Sequence, residues 1–215
     1  MIWTNERRKT LIGWLIENGP KEYYSALKTQ KFLFFFESFS KLNDSEYDFS
    51  RLKAYKNGPV FSEVYGDYKY NFDELTNESS KTDFLSVNQE CAKKAHFLTR
   101  IMSNDELSEL THQYNIWNVH QKEIDSGKLQ IEMCETDFSD SDVNLTKELY
   151  NLYDLSVIDS LEVLIVGRVH YLLDKRDFMA LNDTQKATLE MVALEENLTN
   201  PVYVEIGEEG ELIID

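Results

Sequence analysis

Apolar residues recur with a helical period at the start of the chain. Leu11, Ile12, Leu15 and Ile16 share one face, and Asn18-Gly19-Pro20 supplies a stop, so a first helix is predicted over residues 5–17. Arg7, Arg8 and Lys9 fall in its first turn, where the helix dipole disfavours cations; they read either as a solvated basic turn or as facing a partner. From residue 21 to 41 the pattern changes. Leu27, Phe32, Leu33, Phe34, Phe35, Phe36 and Phe39 point almost everywhere around a helix axis, which predicts a helix buried on most sides at the centre of the core. The rings of Phe34 and Phe35 carry a second reading, as exposed anchors for a partner, because aromatics dominate interface hot spots.

Further along, residues 43–46 read as a loop and residues 47–55 as a short extended segment. Asn57-Gly58-Pro59 predicts a turn, since glycine accepts positive φ and proline fixes its own. Pro59 also suits the opening of a helix, predicted over residues 60–70 with Phe61, Val64, Tyr65 and Tyr68 on one face. The polar residues 71–88 read as a surface loop, and residues 89–102 as a helix. Ser103 with Glu106 matches a capping box that starts a short helix through Leu107 and Leu110. Thr111, His112 and Trp117 then read as a capped helix end folded onto the core. In the remainder, residues 129–134 suggest a strand and residues 135–142 an acidic loop. Helices are predicted over 157–173 and 183–197, the second capped by Asn182 or Asp183. A hairpin is predicted from Val202–Ile206 and Leu212–Ile214 about an acidic tip.

Charge changes this picture. The 215 residues carry a net charge of −17, and it is unevenly spread. Residues 1–124 hold 16 basic and 18 acidic side chains, whereas residues 125–215 hold 6 and 21. A phosphate backbone would be repelled by the second half, so no nucleic-acid partner is expected, and a basic protein would be attracted. The dense apolar run at Phe32–Phe36 is far shorter than the roughly 20 residues needed to cross a bilayer, so no membrane partner is expected. The amino-terminal residues show neither an apolar core nor a cleavage site, which points to the cytoplasm. Cys91 and Cys134 form neither a disulfide framework nor a four-ligand metal set.

Catalytic chemistry finds little to stand on. Neither His96, His112 nor His120 belongs to a zinc-binding spacing, and Cys91 and His96 are 140° apart on a helix. Walker, GxGxxG and GxSxG patterns are absent. No cofactor and no metal is expected, and the chain does not read as an enzyme.

Three short motifs occur in order: Lys28-Thr29-Gln30-Lys31-Phe32-Leu33-Phe34-Phe35, then Leu52-Lys53-Ala54-Tyr55-Lys56-Asn57-Gly58-Pro59-Val60 with Val64-Tyr65, then Leu107-Ser108-Glu109-Leu110-Thr111-His112 with Trp117. Together they resemble the Panacea domain of SocA-like antitoxins and phage-associated GepA-type proteins. Phe32 departs from the usual leucine, and the likeness stops near Ile124. The resemblance implies a protein that neutralises a cognate toxin by direct contact, in some relatives as an adaptor that delivers the toxin to a cytoplasmic protease. The fold expected is mainly α: an N-terminal helix (1–20), a compact helical Panacea-like domain (21–124), and an acidic helical extension ending in a small β-hairpin (125–215). The partner-binding residues implied are Phe34, Phe35, Tyr55, Gly58, Pro59, Val60, Tyr65, Thr111, His112 and Trp117. An alternative from another class is an acidic phage-type inhibitor or DNA mimic that blocks a nucleic-acid-binding protein through residues 125–215. Oligomeric state is left open.

Overall fold

The computed structural model describes residues 1–195 and 197–215 and divides into two compact units, residues 1–99 with 104–152, and residues 100–103 with 153–215. In the first unit, α1 (Glu6–Asn18) is capped by the Asn5 side chain, which accepts from the Arg8 N–H, and stops at Gly19, as its sequence signals indicate. The predicted helix over 21–41 is broken in two. A single turn, α2 (Pro20–Tyr23), precedes α3 (Ala26–Leu42), which restarts where the Ser25 hydroxyl accepts from the Lys28 N–H.

β1 (Leu52–Tyr55) and β2 (Gly58–Phe61) form an antiparallel hairpin, and α4 (Ser62–Tyr70) follows. Pro59 therefore lies in a strand and does not open a helix; it is tolerated because β2 is an edge strand. Residues 71–88, read as a loop, contain the helix α5 (Phe72–Ser79). Next come α6 (Gln89–Ile101), whose last two residues belong to the second unit, α7 (Asn104–His112), and the short turns α8 (Asn115–Asn118) and α9 (Gln121–Asp125). β3 (Ile131–Glu132) pairs with β1 to give the order β2-β1-β3. A 3-10 turn (Glu135–Asp137) leads to α10 (Asp140–Tyr150), opened by a capping box of Ser139 and Asp142 within the stretch read as an acidic loop.

α3 runs through the core of this unit. Phe32, Phe34, Phe35 and Phe39 are all 0 % exposed, each burial contributing about 1.5–3 kcal/mol. Phe34 meets Tyr114 edge-on with ring centroids 5.0 Å apart, and Phe32 stacks on Trp14 at 5.5 Å. Phe34 and Phe35 are thus core residues and not exposed anchors, because Phe49 and Tyr114 pack on the first ring and Phe39 on the second. The basic turn of α1 also points inward. Arg8 is buried, donating to Glu63 Oε1 at 2.6 Å and to the carbonyls of Asp48 and Ser50, while Arg7 grips the buried Glu37 carboxylate with two hydrogen bonds.

The second unit holds α11 (Leu155–Ser160), β4 (Leu161–Val166), β5 (Val169–Asp174), α12 (Lys175–Ala180), α13 (Asp183–Val192), β6 (Val202–Ile206) and β7 (Leu212–Ile214). The sheet order is β4-β5-β6-β7, with β5 and β6 parallel and the outer pairs antiparallel. Val169, Tyr171, Leu173, Leu181, Leu189, Val202 and Val204 form its core. The terminal hairpin matches its sequence signals, although it is one half of a larger sheet. The helix predicted over 157–173 is instead a one-and-a-half-turn helix followed by the β4–β5 hairpin, because Gly167, at φ +59°, turns the chain back on itself. α13 begins with Asn182 as cap, one of the two caps predicted, but stops at Val192; Glu196, inside the predicted span, lies outside the described residues. With a three-stranded and a four-stranded sheet beside the helices, the protein is mixed α and β, which overturns the expectation of a mainly helical chain with only a terminal hairpin. Among the described residues no helix is long and apolar enough to cross a membrane.

Candidate functional site

The three motifs, separated by up to about eighty residues of chain, meet around one buried amine. Lys31 projects from α3 and is 1 % exposed; its Nζ donates to the Asn57 carbonyl at 2.5 Å and to Thr111 Oγ1 at 2.6 Å. The first bond fixes the turn between β1 and β2, and the second fixes α7. Thr111 Oγ1 in turn donates back into α7, lying 3.0 Å from the carbonyls of Leu107 and Ser108.

Gly58 is required at this meeting point. Its φ is +103°, and a Cβ there would sit 2.1 Å from Lys31 Nζ and 2.4 Å from Thr111 Oγ1. Burial pushes the Lys31 amine down to about 7, while the two oxygen acceptors favour its charged form.

Trp117 and His112 close the other side of the turn. The indole N–H donates to the Tyr55 carbonyl at 2.9 Å, and the His112 ring stacks on the indole with centroids 3.7 Å apart. Burial, and then the neighbouring Lys31, hold the imidazole below its usual range, against a hydrogen bond with the Lys56 backbone. An uncharged His112 is what a stacked ring in this position needs, since a second cation beside Lys31 would be repelled.

Next to this lock lies an open groove of about 290 Å³, lined by Ala26, Leu27, Gln30, Lys31, Tyr55, Lys56, Asn57, Pro59, Val60 and Tyr65. Tyr55 and Tyr65 form one wall with centroids 5.4 Å apart, and Lys69 Nζ lies 5.9 Å from the Tyr65 ring centre. Gln30 forms the base. It accepts from the Phe61 N–H at 2.8 Å and donates to the Phe61 carbonyl at 3.4 Å, holding β2 on α3.

Of the residues implied by the resemblance, Tyr55, Pro59, Val60 and Tyr65 line the groove. Gly58, Thr111, His112 and Trp117 build the lock beneath it, and Phe34 and Phe35 are remote from any surface. Leu27, Gln30, Lys31 and Asn57 were not singled out. The signal for Lys31 is a cation directly before the apolar run Phe32–Phe36, on a helix predicted to be buried on most sides, where a specific pair of acceptors makes it tolerable.

Cys91 is buried, with its thiol pushed up to about 11, and His96 Nε2 is bonded to Glu22 at 3.0 Å, so the two do not pair. No group of three His, Cys, Asp or Glu side chains among the described residues is arranged to hold a metal ion. No family model matches the chain, and neither a search of curated proteins nor a search of solved structures returned a match.

Proposed function

We propose that the chain is an antitoxin-like binding protein, and that the groove between α3, the β1–β2 hairpin and α4 is where it receives an apolar side chain of a cognate toxin. The observation that carries the reading is the convergence of all three motifs on the Lys31 lock and the groove it supports. Tyr55, Val60, Pro59 and Leu27 offer apolar area, and Tyr65 adds the aromatic–polar character favoured at hot spots. The lock residues act by holding that wall rigid, which lowers the entropic cost of docking. The net charge of −17 favours a basic partner and acts on the rate of encounter more than on the tightness of the complex.

The test is affinity purification from the native host with the intact chain and with Val60→Glu and Tyr65→Glu, each checked for folding by circular dichroism. One basic protein should co-elute in fixed ratio with the intact chain and fall at least tenfold with each variant. Recovery of that protein undiminished by both variants would remove the groove from the reading, and an intact chain that elutes alone would remove the reading itself.

A further inference from the structure

Each sheet edge in a folded chain is a row of unpaired backbone groups that invites another strand, and among the described residues three of the four edges are blocked or short. β2 has proline at one outward position, without an N–H, and Gln30 occupies both backbone groups of Phe61 at the other. β3 has only two residues. β7 has three, set between Glu211 and Asp215. β4 is different. It spans six residues, Leu-Glu-Val-Leu-Ile-Val, pairs with β5 in an unbroken register, and carries no proline, lysine or bulge.

The direction of its backbone groups follows from the turn. A two-residue loop at Gly167-Arg168 makes Val166 and Val169 a hydrogen-bonded pair, so Leu164 and Glu162 also bond to β5. Val163 and Ile165 then turn their N–H and C=O groups to the open side. The same parity sends the His170 N–H away from β4, where it donates to Asn200 Oδ1 at 2.7 Å. Ile165 is 44 % exposed.

We propose that the β4 edge is an interface between two copies of this chain, paired antiparallel about Leu164 to make a continuous eight-stranded sheet. The sequence of β4 is self-complementary in that register. Val163 faces Ile165 of the second copy in a hydrogen-bonded pair, Leu164 faces Leu164, and Glu162 faces Val166. The one charge in the strand therefore meets no like charge directly opposite. Glu162 is in addition paired with Arg100 of its own chain. The two Glu162 residues would lie four positions apart along the ladder, about 13 Å, beyond the roughly 8 Å screening length of physiological salt. Repulsion between two acidic chains is thus small at the seam. Strand pairing of this length buries less than the roughly 1,600 Å² of a standard interface, which places the dimer among the small, transient ones.

Sedimentation velocity on the full chain from about 1 to 200 µM in physiological salt tests this. The average mass should rise from 25.2 kDa toward twice that value, and amide exchange at Val163 and Ile165 should slow at the high end. Val163→Pro removes an outward donor that the chain's own fold does not use, and Ile165→Lys places a cation on the edge. Each should weaken association at least tenfold while leaving the far-ultraviolet circular dichroism unchanged. A chain that stays monomeric at 200 µM, including one whose β4 edge takes up a strand from a different protein, overturns the proposal. So does a dimer that both variants leave intact.

Discussion

Lys31 ties titration to stability. Its amine titrates near 10.5 in an open chain and is pushed down to about 7 when folded. Between those values the unfolded chain binds a proton that the folded one does not, so the fold gains stability as pH rises from about 7 toward 10 and levels off below 7. Urea midpoints at pH 7 and pH 9.5 should show this rise for the native sequence and a flatter profile for Lys31→Met. Gly58→Ala should cost roughly 2–5 kcal/mol, combining backbone strain with overpacking against Lys31 and Thr111. Thermal melting of that variant is the direct check. At this scale the sequence is readable in part: Gly58, Thr111 and Trp117 stand out by residue type and motif, whereas Lys31 does not. A lysine in a motif looks like a surface residue until its acceptors, twenty-six and eighty positions away, are known.

Elements whose ends carry their own signals were legible, and those decided by distant partners were not. α1 begins at Asn5 and stops at Gly19-Pro20 as written, and α13 takes Asn182 as its cap. The stretch 157–173 misleads because Ile158, Leu161, Leu164, Ile165, Val169 and Leu172 fall at helix-like spacings, although the run Val163–Val166 fits a strand as well. Its β-branched residues and Gly167 were the available clues. α3 was right in character yet began late, since Ser25 restarts it. The cations of α1 read as solvated or partner-facing, but Arg8 turns inward to Glu63, Asp48 and Ser50 and lies 4.1 Å over the Phe61 ring. Arg8→Ala should therefore cost about 3–5 kcal/mol by leaving Glu63 without its partner, a loss on the order of 10 °C in melting temperature. A neutral surface position on the same helix would show no such drop.

Across the whole molecule, charge and architecture are separable. The second unit holds 5 basic and 14 acidic side chains and has its own core beneath a four-stranded sheet. The core cluster itself is apolar, so this acidity shapes the long-range field without contributing a side chain to that cluster. If a basic partner is drawn by that field, its association rate should fall about tenfold or more between 50 and 500 mM salt, with a smaller change in dissociation rate. Stopped-flow mixing with the co-purified partner measures both. The Lys31 amine also senses motion of the turn above it. An ε-amine that sheds its proton near neutrality is a strong nucleophile, but here it is walled off from bulk solvent. An acylating reagent would pass over it in the closed form and attack it only when the β1–β2 turn lifts, which makes this side chain a built-in reporter of breathing in the amino-terminal unit.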